Sequence, residues 1–245
     1  MFPITHFYIN QQFYNPSPLL AIGGIFPDIA AACEMGRNEA HTMGKELFAF
    51  CKEKYPEAVD LGRGVFLHGA TEGGADYYSD EAWEGGDKGW CFQKGAEFAE
   101  EVGKATALDE DYWLWKSHNF VELGLEIITD VRHPYMKTEL TKLLGDKKAQ
   151  ELAATVLKDF ANVNSKKLIR TLNDIDSIFE LKDVNFISLA QNQHRGIIRR
   201  FNSDKSNISQ MAVSLKHITD SMLENYEYDS FMNKVIEKMS KSLLY

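Results

Sequence analysis

The chain has 245 residues, of which 44% are hydrophobic, 12% aromatic and 26% charged; this is ample for one large core or two small ones and does not fit a disordered chain. A formal net charge of -9 and a pI near 5.3 exclude a broad, sequence-independent nucleic-acid surface, which requires excess positive charge. The one local basic stretch, "HRGIIRR" at 194–200 with Lys166, Lys167 and Arg170 upstream, reads as a solvated helix face.

The opening "MFPITHFYIN" has no basic segment followed by an apolar run, so no signal peptide is expected there. The longest apolar stretch, "LLAIGGIF" at 19–26, is too short to cross a bilayer. Cys33, Cys51 and Cys91 form no CxxC and read as reduced core thiols, so a cytoplasmic location is expected. Helical periodicity runs over 39–54 (Leu47, Phe48, Phe50, Cys51) and 57–72 (Val59, Leu61, Val65, Phe66, His68). A glycine-rich, acidic loop follows at 73–89, of a length suited to forming a site. Helices are then expected over 90–104 and, with Asp109 as N-cap, to about 131. Beyond His133-Pro134 come ordinary amphipathic helices at 135–144, 147–162, 166–180, 184–202, 207–225 and 230–243, with Asp146 and Asp229 as caps. No long alternating run argues for a sheet, and the expected class is an all-α multi-helix bundle.

The histidines divide the chain. Five of the seven precede Pro134: His6, His41, His68, His118 and His133. The expected organisation is therefore a metal-binding catalytic helical core over 1–135, with a C-terminal helical extension over 136–245 packing on it. His194 and His217 fit ordinary helix faces, and His133 fits a helix C-terminus, where an imidazole suits the dipole.

In "KSHNFVELGLEI" (116–127), His118 and Glu122 stand four apart, so on a helix they share one side. Their setting is apolar, and burying that pair is costly without a metal ion or a hydrogen bond to compensate. "GVFLHGATEGGADYYSD" (64–80) repeats the spacing with His68 and Glu72, and then offers Asp76 and Asp80. Two helices that each present a histidine and a carboxylate are how helical bundles build multi-carboxylate metal sites. Asp28, in "IGGIFPDIA" (22–30), is either a ligand or a helix cap; His41 is either a ligand or a surface histidine. Tyr77, Tyr78 and Trp83 either wall a substrate site or pack the loop.

The ordered series His6, "GGIFPD" with Asp28, His41, His68 with a carboxylate four on, and His118 with Glu122 resembles the zinc-dependent phospholipase C family, relatives of the fungal single-strand nucleases. The likeness spans roughly residues 4–130. It implies an all-α fold, a clustered zinc site and cleavage of phosphate esters by a metal-activated water. It implies metal ligands at His6, Asp28, His41, His68, Glu72, Asp76, His118 and Glu122, with Asp28 also orienting the attacking water. The family carries aspartate where Glu72 stands and a histidine where Asp76 is the best candidate, so manganese or iron joins zinc among the expected ions. Two ions are expected, or three if an N-terminal ligand contributes. The substrate would be a phosphate-ester small molecule, lipid or nucleotide, and an oligomer is open. The alternative is a non-catalytic, metal-stabilised helical module that binds a partner. A phosphohydrolase built on a His-Asp dipeptide is disfavoured because no histidine here precedes an aspartate, and a di-iron oxidase because its spacing is ExxH.

Overall fold

A computed structural model describes residues 2–243. Within them the chain is all-α, with no strand. The helices are α1 (Pro3–Gln11), α2 (Pro18–Ile29), α3 (Arg37–Thr42), α4 (Gly44–Lys54), α5 (Val59–His68), α6 (Trp90–Gly95), α7 (Ala99–Thr106) and α8 (Trp113–Arg132). They continue with α9 (Met136–Leu144), α10 (Lys147–Ala161), α11 (Ser165–Asn173), α12 (Ile175–Phe179), α13 (Phe186–Phe201), α14 (Ile208–Glu224) and α15 (Glu227–Ser240). No helix among the described residues is long and apolar enough to cross a membrane.

Two apolar cores form. One gathers Phe120, Val121 and Leu125 of α8 with Leu215, Ile218 and Met222 of α14 and Phe231 and Val235 of α15. The other gathers Ile22, Ile25 and Phe26 of α2 with Leu61 and Val65 of α5 and Leu140, Val156 and Leu168 further on. Each core therefore draws on both sides of residue 135. Helices α1 and α5 serve both: Ile9 and Phe66 lie in the first, Ile4, Phe7 and Val65 in the second. These are the helices that carry His6 and His68.

Helices α2 and α5 cross on glycines. A Cβ on Gly64 would overlap the Leu20 carbonyl oxygen and lie 2.7 Å from Gly24 N; one on Gly23 would overlap the Leu61 carbonyl oxygen. The close approach brings the end of α5 against the "GGIFPD" segment. Ser17 caps α2 by accepting from Leu20 N at 3.2 Å, and Pro27 sits inside the helix, where it cannot donate to the carbonyl four residues back.

Several local expectations change. The helix expected over 57–72 ends at His68, because Gly69 leaves the helical conformation. The 166–180 helix is two, broken at Asp174. Asp146 caps α10, accepting from Ala149 N at 2.9 Å. Asp229 is not a cap: α15 starts at Glu227 after Tyr226 at φ 55°, and Asp229 pairs with Arg132. Asp109 opens a short 3-10 turn, Glu110–Tyr112, rather than α8 itself, and its side chain makes no capping bond. Cys33, Cys51 and Cys91 are buried free thiols.

Candidate metal centre

The histidines and acids separate into two adjoining sets. His6, Asp28 and His68 form one group and His41, His68 and Asp76 a second that shares His68; in each, one ligand atom per residue lies within 4.8 Å of the others. A third group, within the same distance, is Asp80, His118 and Glu122. His41, Asp76, Asp80 and His118 all border one cavity of about 500 Å³, so both sets face common space.

Asp76 is the centre of the first set. Its Oδ1 is 3.3 Å from His6 Nε2, and its Oδ2 is 3.5 Å from His41 Nε2 and 3.2 Å from His68 Nε2. Asp28 Oδ1 stands 3.8 Å from His41 Nε2 and 3.9 Å from His68 Nε2. The rings of His6 and His68 stack at 3.8 Å. The imidazoles are oriented from behind: His68 Nδ1 donates to the Gly24 carbonyl at 2.7 Å, and His41 Nδ1 to the Arg37 carbonyl at 2.8 Å. That fixes the tautomer and leaves Nε2 of each as a bare acceptor, buried without a hydrogen-bond partner. A backbone carbonyl behind one ring nitrogen and an empty lone pair on the other is the arrangement of a metal-ligating histidine.

The charges are tightly linked. Burial and the neighbouring His68 push His6 down to about 3, so its ring is neutral. Burial alone would lower His68, but Asp76 and Asp28 outweigh it and raise it. Burial would raise Asp28 and Asp76, yet nearby positive charge, the facing imidazoles included, holds both below the ordinary carboxylate range. In the other set, burial pushes His118 down to about 4. Burial and the nearby Glu122 and Asp76 push Asp80 up to about 7. Carboxylates crowded at this depth repel one another unless a cation lies between them.

The local folding explains which residues arrive. α8 runs unbroken through His118 and Glu122, so their four-residue spacing keeps them on one side. The same argument fails for His68 and Glu72, since the helix stops between them. Glu72 is exposed, lies outside the three groups and borders a different hollow with Tyr77, Tyr78 and Trp83. Gly73, at φ 103°, and Gly74, where a Cβ would overlap the Gly69 carbonyl oxygen, fold the loop back tightly and bring Asp76 under His68. A π-helical turn, Tyr77–Glu81, then carries Asp80 towards α8. Trp83 packs in the core, 5.1 Å from the Phe231 ring, so these loop aromatics do not wall the cavity. Phe92 and Trp115 do, and Phe92 stacks on His118 at 3.9 Å.

Sequence reasoning does not single out Asp80, Glu126 or the cavity residues Arg37, Phe92 and Trp115 as site elements. For Asp80 the four-residue offset from Asp76 is the available signal. Glu126 follows Glu122 by four residues on the same face of α8. It is 2% exposed and accepts from Ile4 N, Thr5 N and Thr5 Oγ1, each at 2.8 Å. Because Pro3 has no N–H and Phe2 offers no side-chain cap, Glu126 satisfies the first free amides of α1, the helix that carries His6. Glu126→Ala should cost roughly 2–3 kcal/mol in urea unfolding by stranding those donors, and weaken metal binding through the loosened His6. Unchanged stability and metal affinity would refute that role.

His133 caps α8 and stacks on Tyr8 at 4.7 Å, while His194 bonds Ser206 and His217 pairs with Glu101. None of the three belongs to the groups above. Comparison of the chain with family models, with curated proteins and with solved structures finds no match in any of the three.

Proposed function

We propose that the chain is a metal-dependent phosphoester hydrolase of the kind implied by its resemblance to the zinc-dependent phospholipase C family. One observation carries the reading: histidines and carboxylates from α1, α2, α3, α5, α8 and the 73–89 loop converge beside a single cavity that also holds Arg37 and Lys88. The donor set fits divalent metal, since His41 and His68 each turn a bare Nε2 inward and Asp28 Oδ2 is buried without a hydrogen-bond partner. Bound there, such ions would polarise phosphoryl oxygens and acidify a water.

The protein's own groups divide the remaining work. Arg37 lines the cavity. It is exposed at the cavity, and Asp28, Asp76, Glu122 and Asp80 together hold it firmly protonated. A guanidinium so placed can grip two phosphoryl oxygens at once and offset the charge that grows on them. Asp28 Oδ2, buried without a hydrogen-bond partner, is the acceptor that can orient the attacking water. Phe92 and Trp115 give the cavity an apolar side for the rest of the ester.

The test is reconstitution. Metal-free protein should be inert towards bis(p-nitrophenyl) phosphate, regain turnover with zinc or manganese, and lose it again with a chelator. Arg37→Ala should lower kcat/KM by roughly 100-fold with metal content unchanged. Failure to bind any divalent metal would end this reading.

A further inference from the structure

The two sides of the centre offer different donors. The side built on α1, α2, α3, α5 and the start of the 73–89 loop presents three imidazoles, His6, His41 and His68, with Asp28 and Asp76. The side built on α8 and the π-helical turn presents one imidazole, His118, with two carboxylates, Asp80 and Glu122. Both sides reach the cavity, the first through His41 and Asp76 and the second through Asp80 and His118, while His6 and His68, 1% and 0% exposed, lie behind its wall.

We propose that the two sides hold different metals: zinc on the imidazole-rich side, and a harder divalent ion, manganese or ferrous iron, between Asp80, His118 and Glu122. This rests on the metal-centre reading above and adds to it an identity for each position. Imidazole suits zinc, while carboxylate and water suit manganese and magnesium. Zinc binds more tightly than manganese at almost any site of this kind, so selection must come from the ligands. Replacing nitrogen donors by oxygen narrows zinc's advantage, and an open cavity lets a harder ion keep the waters it releases reluctantly.

The residues are arranged for ligation. His118 is 3% exposed, its Nε2 is engaged by the Asn119 amide at 2.9 Å, its buried Nδ1 has no hydrogen-bond partner, and its ring is clamped by Phe92. The Asp80 carbonyl accepts from Gly89 N at 2.9 Å, and its Oδ1 from Ser79 Oγ at 2.7 Å, which sets the carboxylate's direction. A Cβ on Gly89 would overlap the Ser79–Asp80 backbone, so that tether is built into the loop.

The experiment uses the full chain, stripped of metal and dialysed against limiting zinc with manganese in large excess. Metal content is read by mass spectrometry and bound manganese by its electron paramagnetic resonance. About one manganese per chain should remain beside zinc, and Asp80→His should lower the manganese roughly tenfold while zinc rises to replace it. Glu122→His on the preformed helix α8 should shift the balance in the same direction, which guards against a folding defect in the loop variant. Wild-type protein that fills with zinc alone would overturn the mixed-metal assignment while leaving the metal centre standing. Protein that binds neither ion would overturn both.

Discussion

Asp76→Asn is expected to strip metal from the imidazole-rich side and to lower phosphodiester hydrolysis by at least about a thousandfold. One carboxylate there faces His6, His41 and His68 at 3.2–3.5 Å, and the amide keeps its shape but not its charge. Metal analysis reads the first effect directly. Full retention of metal would show that Asp76 is not a ligand. The metal-free protein supplies a second readout. Burial opposes ionisation of Asp76, but nearby positive charge, to which His68 and His6 contribute, holds its folded-state pKa below the unfolded value. Its contribution to stability is therefore present above about pH 4 and disappears as pH falls through the lower folded-state value. Asparagine should flatten that acid limb.

The largest effect expected on the fold itself comes from Gly64→Ala. The added methyl meets backbone on both sides, the Leu20 carbonyl oxygen and Gly24 N, and no flexible side chain can yield. The cost should be about 3 kcal/mol, a fall of roughly 10 °C in Tm for a chain of this size. Gly196→Ala on α13 is the control: nothing lies within 4 Å of its Cβ, and it should be neutral or mildly stabilising. The variants should also differ at the centre, because Gly24 is the carbonyl that orients His68. Equal melting temperatures would show that the α2–α5 crossing can relax.

How much of this was legible depended on whether local spacing survived folding. His118 and Glu122 could be paired from sequence because α8 has no breaker between them. His68 and Glu72 have the same spacing and are not paired, because Gly69 ends α5 immediately after the histidine. The rule that residues four apart share a side holds only while the helix lasts. Asp76 and Asp80 owe their positions to a tight glycine return and a π-helical turn, and neither leaves a periodic trace. The amphipathic C-terminal helices were readable from their apolar faces, but the placement of α14 and α15 against α8 is a long-range matter that periodicity does not encode. Glu126 stood in plain view as the third member of a four-residue series with His118 and Glu122. Its role depends on α1 arriving from the far end of the chain.

That arrival has a kinetic consequence. His6 and Glu122 are separated by 116 positions, and every intervening segment that bears a candidate ligand must dock before the set is complete. Such distant contacts form late on the folding path and are among the first to be lost when the fold opens. A metal held there would work as a clasp, closing a long loop that nothing covalent closes in this disulfide-free chain. Its removal should then show mainly in how quickly the native state unravels, with little change in how quickly it forms.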